Sequence, residues 1–295
     1  MEWLTEFPTM DGERLTALKK AIDGSFRNFT RAYGEAFETA LTPVKWFMQN
    51  MEYLLVNTPW PIIIIVFAAI AWFASRSRNI TIGVVITLLL IGYFGMWEDS
   101  MKTVAMTVVA TILAIVIGIP IGIFMARSNR VQSVINPILD VMQTMPSFVY
   151  LIPVVMLLGI GRVPGLIAVM IYAIPPIIRL TNLGIRLVDR DVLEAADAFG
   201  SSNWQRLKNV QMPLALPTIM AGVNQTIMMA LAMVVVASMI GVQGLGLPVL
   251  KAISNQYFTL GIFNGLAIVG IAIIFDRTSQ AYGKRLQKHL ETVHG

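Results

Sequence analysis

An all-α integral membrane protein with about seven transmembrane helices is predicted by three features of the sequence. Of 295 residues, 56% are hydrophobic and only 13% are charged, about half the charge of an average soluble domain; mean hydropathy is +0.70. Apolar runs of near-spanning length follow one another from residue 59 onward. The basic residues fall between those runs rather than within them. Together these exclude a soluble enzyme and a disordered chain. The net charge of +5 fits membrane-flanking Lys and Arg better than a nucleic-acid surface, so no nucleic-acid partner is expected. With no Cys, thiol chemistry and Cys-based metal sites are excluded. His289 and His294 lie in the last seven residues, a poor setting for a metal cage or catalytic base.

The first 58 residues are the polar part. Residues 1–20 lack the apolar core of a signal peptide. Leu15, Leu18, Ile22, Phe26, Phe29, Tyr33, Phe37 and Leu41 recur at steps of three and four, which predicts an amphipathic helix that Pro43 interrupts. A second stripe follows in Val44, Phe47, Met48, Met51, Leu54 and Leu55. A packed soluble cap would carry the same stripes. So little other polar protein exists to pack against that a helix lying on membrane lipid is the better expectation.

Seven apolar segments follow: Pro59–Ala74, Ile80–Trp97, Val104–Ala126, Ile135–Gly159, Pro164–Gly184, Leu214–Val236 and Leu260–Phe275. The first and last are short for a span of about 20 residues. With 186–212 on the cytoplasmic side, the inner loops and tail hold 13 basic residues against Lys102, Arg162 and Lys251 outside. The positive-inside rule therefore places the C-terminus in the cytoplasm and the N-terminus outside. That N-terminal tail carries 6 basic and 8 acidic residues.

Ten of the 14 prolines lie between Pro120 and Pro248. Single prolines are tolerated in membrane helices; this density points to broken helices lining a pathway. Gly118/Gly122 and Gly261/Gly265 are spaced for close helix packing. Asp140 and Arg179 are the charges nearest to span interiors, placed for snorkelling or an ion pair at the inner boundary. No relay of acidic groups or His crosses the midplane, which argues against an ion-coupled secondary osmolyte carrier. No GxxxxGK[ST] pattern occurs, so any ATP is bound elsewhere.

The segment between the fifth and sixth spans is longer than a connection needs. Asp191 and Glu194 have the spacing of a capping-box variant. Val192, Ala195, Ala196 and Phe199 fall on one face, Gly200 supplies a left-handed stop, Ser202 and Gln205 open a second short helix, and Pro213 begins the next span. A small helix with an Ala-lined face suits a groove on a partner.

The run Glu194-Ala195-Ala196, three residues, Gly200, nine residues, Val210-Gln211-Met212-Pro213 resembles the EAA loop of ABC-importer permeases. Glu, both Ala, Gly and Pro match in register; Val210 and Met212 stand where the family has Ile and Leu. Residues 139–182 and 213–247 look like the glycine betaine/proline betaine subfamily. The resemblance implies the type I ABC-importer permease fold: N-terminal amphipathic helices over 1–58, two peripheral spans over 59–97, a five-helix core over 98–276 with its coupling loop at 186–213, and a cytoplasmic tail over 277–295. It implies a bacterial inner-membrane permease that is not itself an enzyme and holds no cofactor. A homodimer would bind two ATP-binding subunits, which hold ATP and Mg, through Glu194, Ala195, Ala196, Phe199, Gly200 and Pro213. An external substrate-binding protein would deliver glycine betaine, proline betaine, choline or trimethylamine N-oxide. Another small solute, such as an amino acid or taurine, is the alternative cargo. For a quaternary ammonium, read by aromatic faces, Phe148, Tyr150 and Tyr172 are the pathway candidates; ordinary packing of these rings is the competing reading.

Overall fold

Thr103, Thr107 and Thr111 are buried within an apolar helix, and lipid would not tolerate their hydroxyls facing outward. Thr103 and Thr107 resolve this locally by bonding carbonyls one turn back, each at 2.8 Å. Thr103 Oγ1 also accepts the Leu245 backbone N–H at 2.9 Å. That contact fixes the loop before the helix at Gly246–Asn255 onto the first turns of the helix at Trp97–Arg127.

The computed structural model describes residue 7 and residues 9–294, with side chains described through residue 287. The expectations placed on residues 1–6, on His289 and on His294 lie outside the described residues or side chains. Two helices, α1 (Gly12–Ala40) and α2 (Thr42–Asn57), precede the spans. Pro43 sits in the first turn of α2, where its missing N–H costs nothing. Then come α3 (Trp60–Ser75), α4 (Arg78–Tyr93), α5 (Trp97–Arg127), α6 (Asn129–Thr144) and, after a 3-10 turn at Ser147–Tyr150, α7 (Leu151–Leu158). The remainder is α8 (Arg162–Ala173), α9 (Pro175–Arg186), α10 (Arg190–Ala198), α11 (Asn203–Arg206), α12 (Met212–Ala237), α13 (Gly246–Asn255) and α14 (Phe258–His294). Among the described residues there is no strand.

The apolar segments expected from the sequence are helical, with three corrections. The second ends at Tyr93 rather than Trp97: Gly95 turns the chain at φ 74°, and Trp97 opens α5. The fourth begins at Asn129 and is not one helix. It breaks after Thr144 with a bend of 112°, because Met145 precedes Pro146 and is held extended at ψ 132°. The last runs beyond Phe275 as part of α14 and is not short. Four stretches are long and apolar enough to cross a membrane singly: 97–127, 162–186, 203–240 and 258–287. The pairs α2–α3 and α6–α7 each reach that length only across a bend, and α4, at 16 residues, rises about 24 Å.

The core runs along α5 and α12, which contribute to all three buried clusters. α9 packs between them. A Cβ on Gly118 would meet Ile177 Cγ2 at 2.5 Å, and one on Gly122 would meet Thr181 Cβ at 2.6 Å and the Ile178 carbonyl at 2.7 Å. The first glycine pair is therefore a packing seam, as its spacing suggested. In the second pair only Gly261 is crowded, with Ala252 at 3.2 Å; nothing approaches Gly265 within 4 Å.

Polar ties join the ends of helices. Arg186 donates to the Asn182 and Asn129 side chains and to the Met125 carbonyl at the end of α5, which also accepts the Ser128 N–H. Arg162 donates to both Glu52 carboxylate oxygens at 2.9 Å and to Gln243 at 2.5 Å. This bidentate pair fastens α2 to the start of α8.

Candidate functional site

The segment 186–213 folds as expected in outline, and its parts are held by local chemistry. Asp189, not the Asp191/Glu194 pair, caps α10: its Oδ1 accepts the Asp191 backbone N–H at 3.0 Å. The helix thus starts two residues earlier than the motif suggested, and Glu194 stands exposed in its middle. At the other end the Ser201 N–H bonds the Ala196 carbonyl at 3.1 Å and the Gly200 N–H bonds the Asp197 carbonyl at 2.9 Å. With Gly200 at φ 75°, this is a Schellman stop. No atom lies within 4 Å of a Cβ placed on Gly200, so glycine is needed there for its left-handed backbone and not for space.

α11 then opens with a complete capping box. Ser202 Oγ accepts from the Gln205 N–H at 3.3 Å, and Gln205 Oε1 accepts from the Ser202 N–H at 2.8 Å. Arg206 donates to Asp197 at 2.6 Å, which closes the angle between the two short helices. Leu207, only 2% exposed, roots the segment in the inner core beside Ile185 and Ala215. Pro213 sits in the first turn of α12 as expected, although the chain is helical without a break from Asn203 to Ile240. A single π turn at Leu207–Gln211 absorbs the bond that Pro213 cannot make.

The predicted face divides. Val192 and Ala196 are half-buried together with Leu193, whereas Ala195, Ala198 and Phe199 are exposed beside Glu194. Phe199 is 91% exposed, and Trp204 on α11 is 64% exposed. Trp204 was not among the sequence candidates. Its signal was an aromatic residue in a polar connection between two spans, with no apolar register to occupy. Two large apolar side chains so exposed on one short segment form the kind of knob that marks an interaction site.

The pathway candidates separate. Tyr150 is 5% exposed and donates its hydroxyl to the Met142 carbonyl. Its ring meets Tyr172 edge-on with centroids 5.7 Å apart, and both lie against the buried cluster that includes Val154. Tyr150 is thus buried in that cluster, with Tyr172 half-buried beside it. Phe148 lies on the 3-10 turn at the α6–α7 break and is 56% exposed. It makes no ring pair with either tyrosine among the described residues.

Below it, α6 carries a polar stripe of Ser133, Asp140, Gln143 and Thr144, all exposed. Asp140 is held by an ion pair to Arg179 on α9, one of the two roles the sequence allowed these charges. Ser133 and Thr144 return their hydroxyls to carbonyls of their own helix, so Gln143 and the Asp140–Arg179 pair are the polar groups of this stripe left facing outward.

The chain was compared with known proteins. Residues 118–288 match the family described as binding-protein-dependent transport system inner membrane component. The chain belongs to this family. As a member it is an inner-membrane transport permease of an ABC transporter. It is 50% identical over 297 residues to the glycine betaine/proline betaine transport system permease protein ProW of Escherichia coli, covering 96% of this chain and 82% of that one. It is 44% identical to the glycine betaine transport system permease protein OpuAB of Bacillus subtilis, covering 89% and 93%. The trimethylamine N-oxide transport system permease protein TmoV of Pelagibacter ubique is 35% identical, over 81% of this chain and 33% of that one. Among solved structures, a chain of the inward-facing MetNI methionine ABC transporter superposes with a TM-score of 0.58 at 19% identity, covering 63% of the permease and 93% of that chain. The fold is that of type I ABC-importer permeases.

Proposed function

We propose that this permease is the pathway-forming subunit of an ATP-driven importer for a methylated-amine osmolyte such as glycine betaine, and that it works as a homodimer with two ATP-binding subunits and an external binding protein. The observation that carries the coupling role is the exposed Phe199 at the Schellman-stopped end of α10, on a segment rooted through Leu207 in the core. A helix so fixed transmits force rather than absorbing it. Closure of the ATPase dimer would move α10 through Glu194, Ala195, Ala196, Phe199 and Gly200. The motion would pass through the π turn before Pro213 into α12, which contacts α5, α8, α9 and α14.

The substrate class rests on relatives whose names give glycine betaine, proline betaine and trimethylamine N-oxide. The exposed polar stripe of α6 supports a water-lined pathway on that face, with Phe148 at its bend. An aromatic face is the chemistry that a methylated ammonium recognises. A transit site must bind weakly enough to release, so selectivity belongs to the external binding protein. The five-helix core over 98–276 would form the pathway, with 59–97 peripheral, the C-terminus cytoplasmic and the N-terminus outside.

Reconstitution with the ATP-binding and external binding subunits tests this directly. Uptake of labelled glycine betaine should require ATP, and excess choline or trimethylamine N-oxide should compete to differing degrees. Uptake driven by an ion gradient without ATP would overturn the mechanism. Competition by amino acids or taurine alone would overturn the substrate class.

A further inference from the structure

Between α3, α12 and α14 lies a groove of about 640 Å³ that the transport reading does not use. Val66, Ile70 and Phe73 wall it on one side, Val223 and Ile227 on the second, and Tyr282 on the third. Along α3 its lining runs from Val66 to Ala74, a rise of about 12 Å, most of the depth of one leaflet's hydrocarbon.

One end of this groove is basic. Arg285 donates to the Phe73 carbonyl at 2.8 Å. Arg76 stacks its guanidinium over the Phe73 ring at 5.5 Å, held there by a left-handed backbone at φ 51°. Arg78 opens α4 just beyond Arg76, Arg277 and Lys284 lie on α14 within about two turns of Arg285, and all five side chains are exposed. No Asp or Glu occurs in residues 60–97 or 277–290. Asp276, next in sequence, is engaged by Asn224 at 3.0 Å and Gln280 at 2.6 Å. Thr278 also lines the groove and has a buried hydroxyl without a hydrogen-bond partner among the described residues.

We infer that this groove is a binding site for one anionic phospholipid, with an acyl chain between α3, α12 and α14 and the headgroup phosphate held by Arg76 and Arg285. The apolar walls select a lipid over a free phosphate. The uncompensated positive mouth selects an anionic headgroup over a zwitterionic one. The Thr278 hydroxyl is positioned to donate to a lipid ester carbonyl. Since α3 meets the core largely through α14, the lipid would cement a peripheral helix to the bundle.

Native mass spectrometry tests this on the full-length chain, extracted from membranes containing phosphatidylglycerol and phosphatidylethanolamine. One phosphatidylglycerol per chain should persist through delipidation that strips phosphatidylethanolamine. The double variant Arg76→Gln/Arg285→Gln should lower its retention roughly tenfold or more. Arg76→Lys, which keeps the charge, should retain it. Ala69→Trp should exclude it by filling the groove, with the charges untouched. A normal thermal melt in each variant separates lipid loss from misfolding; should the double variant misfold, Arg76→Lys and Ala69→Trp still decide. Equal retention of both lipids would overturn the proposal, as would retention unchanged by Ala69→Trp or a cross-link from Ile70 to a second copy of the chain. The readout is lipid mass rather than transport, so its failure leaves the import reading standing.

Discussion

Arg206 and Asp197 meet at 2.6 Å across the turn at Gly200, so the angle between α10 and α11 is fixed by an ion pair as well as by backbone geometry. The backbone should matter more. A left-handed conformation costs an ordinary residue about 1–2 kcal/mol, whereas an ion pair that is still partly open to solvent contributes about 0–1 kcal/mol. Gly200→Val should therefore abolish ATP-dependent uptake with the chain still present in the membrane. Gly200→Asn, which tolerates the left-handed region, should keep a substantial part, and Asp197→Asn should keep most. Uptake assays normalised to membrane content check this order. Equal loss in Gly200→Val and Gly200→Asn would show that the conformation is not what Gly200 supplies.

Phe199 and Trp204 touch little of their own chain, so truncating them should leave the fold intact, with stability changed by no more than about 0.5 kcal/mol. An exposed aromatic that anchors a partner typically contributes 2 kcal/mol or more, roughly a thirtyfold change in affinity. Phe199→Ala should thus greatly reduce co-purification of the ATP-binding subunit while the melting temperature stays put. Trp204→Ala should have a smaller effect of the same kind. Retained co-purification in the double variant would remove this surface from the interface.

The helical content and the fold of segment 186–213 were legible because both are written in local signals. Gly200, Ser202 and Gln205 form their stop and their cap with neighbours five or fewer residues away. The bend at Met145–Pro146 was foreshadowed by its proline, yet its 112° angle depends on what α6 and α7 pack against. Arg162 looked like an isolated outer-loop charge, since Glu52 lies 110 residues away. Tyr150 and Tyr172 read as pathway aromatics because composition cannot tell a ring facing water from one facing Val154. Only packing separates those two from Phe148.

The two glycine pairs, identical in spacing, should respond oppositely to one methyl group. At Gly122 an added Cβ would fall 2.7 Å from the Ile178 carbonyl and 2.6 Å from Thr181 Cβ. Backbone on α9 cannot swing aside as a flexible side chain could. Gly122→Ala should destabilise by about 1–3 kcal/mol, and Gly122→Leu should prevent assembly of the core. Gly265→Ala meets nothing within 4 Å and should be neutral or slightly stabilising through helix propensity. Thermal melts of the detergent-solubilised variants decide. A neutral Gly122→Ala would mean that α5 and α9 are not packed this closely.

Helix α2 should open more often when its ion pair is removed. Arg162 reaches both oxygens of Glu52, and Arg162 and Glu52 are both partly shielded from solvent. Around this pair Met48 packs into the outer core beside Met106. Arg162→Ala leaves the half-buried Glu52 without its direct partner, with Lys102 the other cation lining the same cavity, so it should cost more than Glu52→Gln, which can still accept a hydrogen bond. Solvent screening keeps the coupling on the order of 1 kcal/mol, enough to raise local opening of α2 several-fold. Limited trypsin digestion should then cut faster at Lys45, and a double-mutant cycle with Glu52→Ala should show non-additivity of that size. Additive effects, with cleavage unchanged, would mean that Met48 and its neighbours hold α2 without the ion pair.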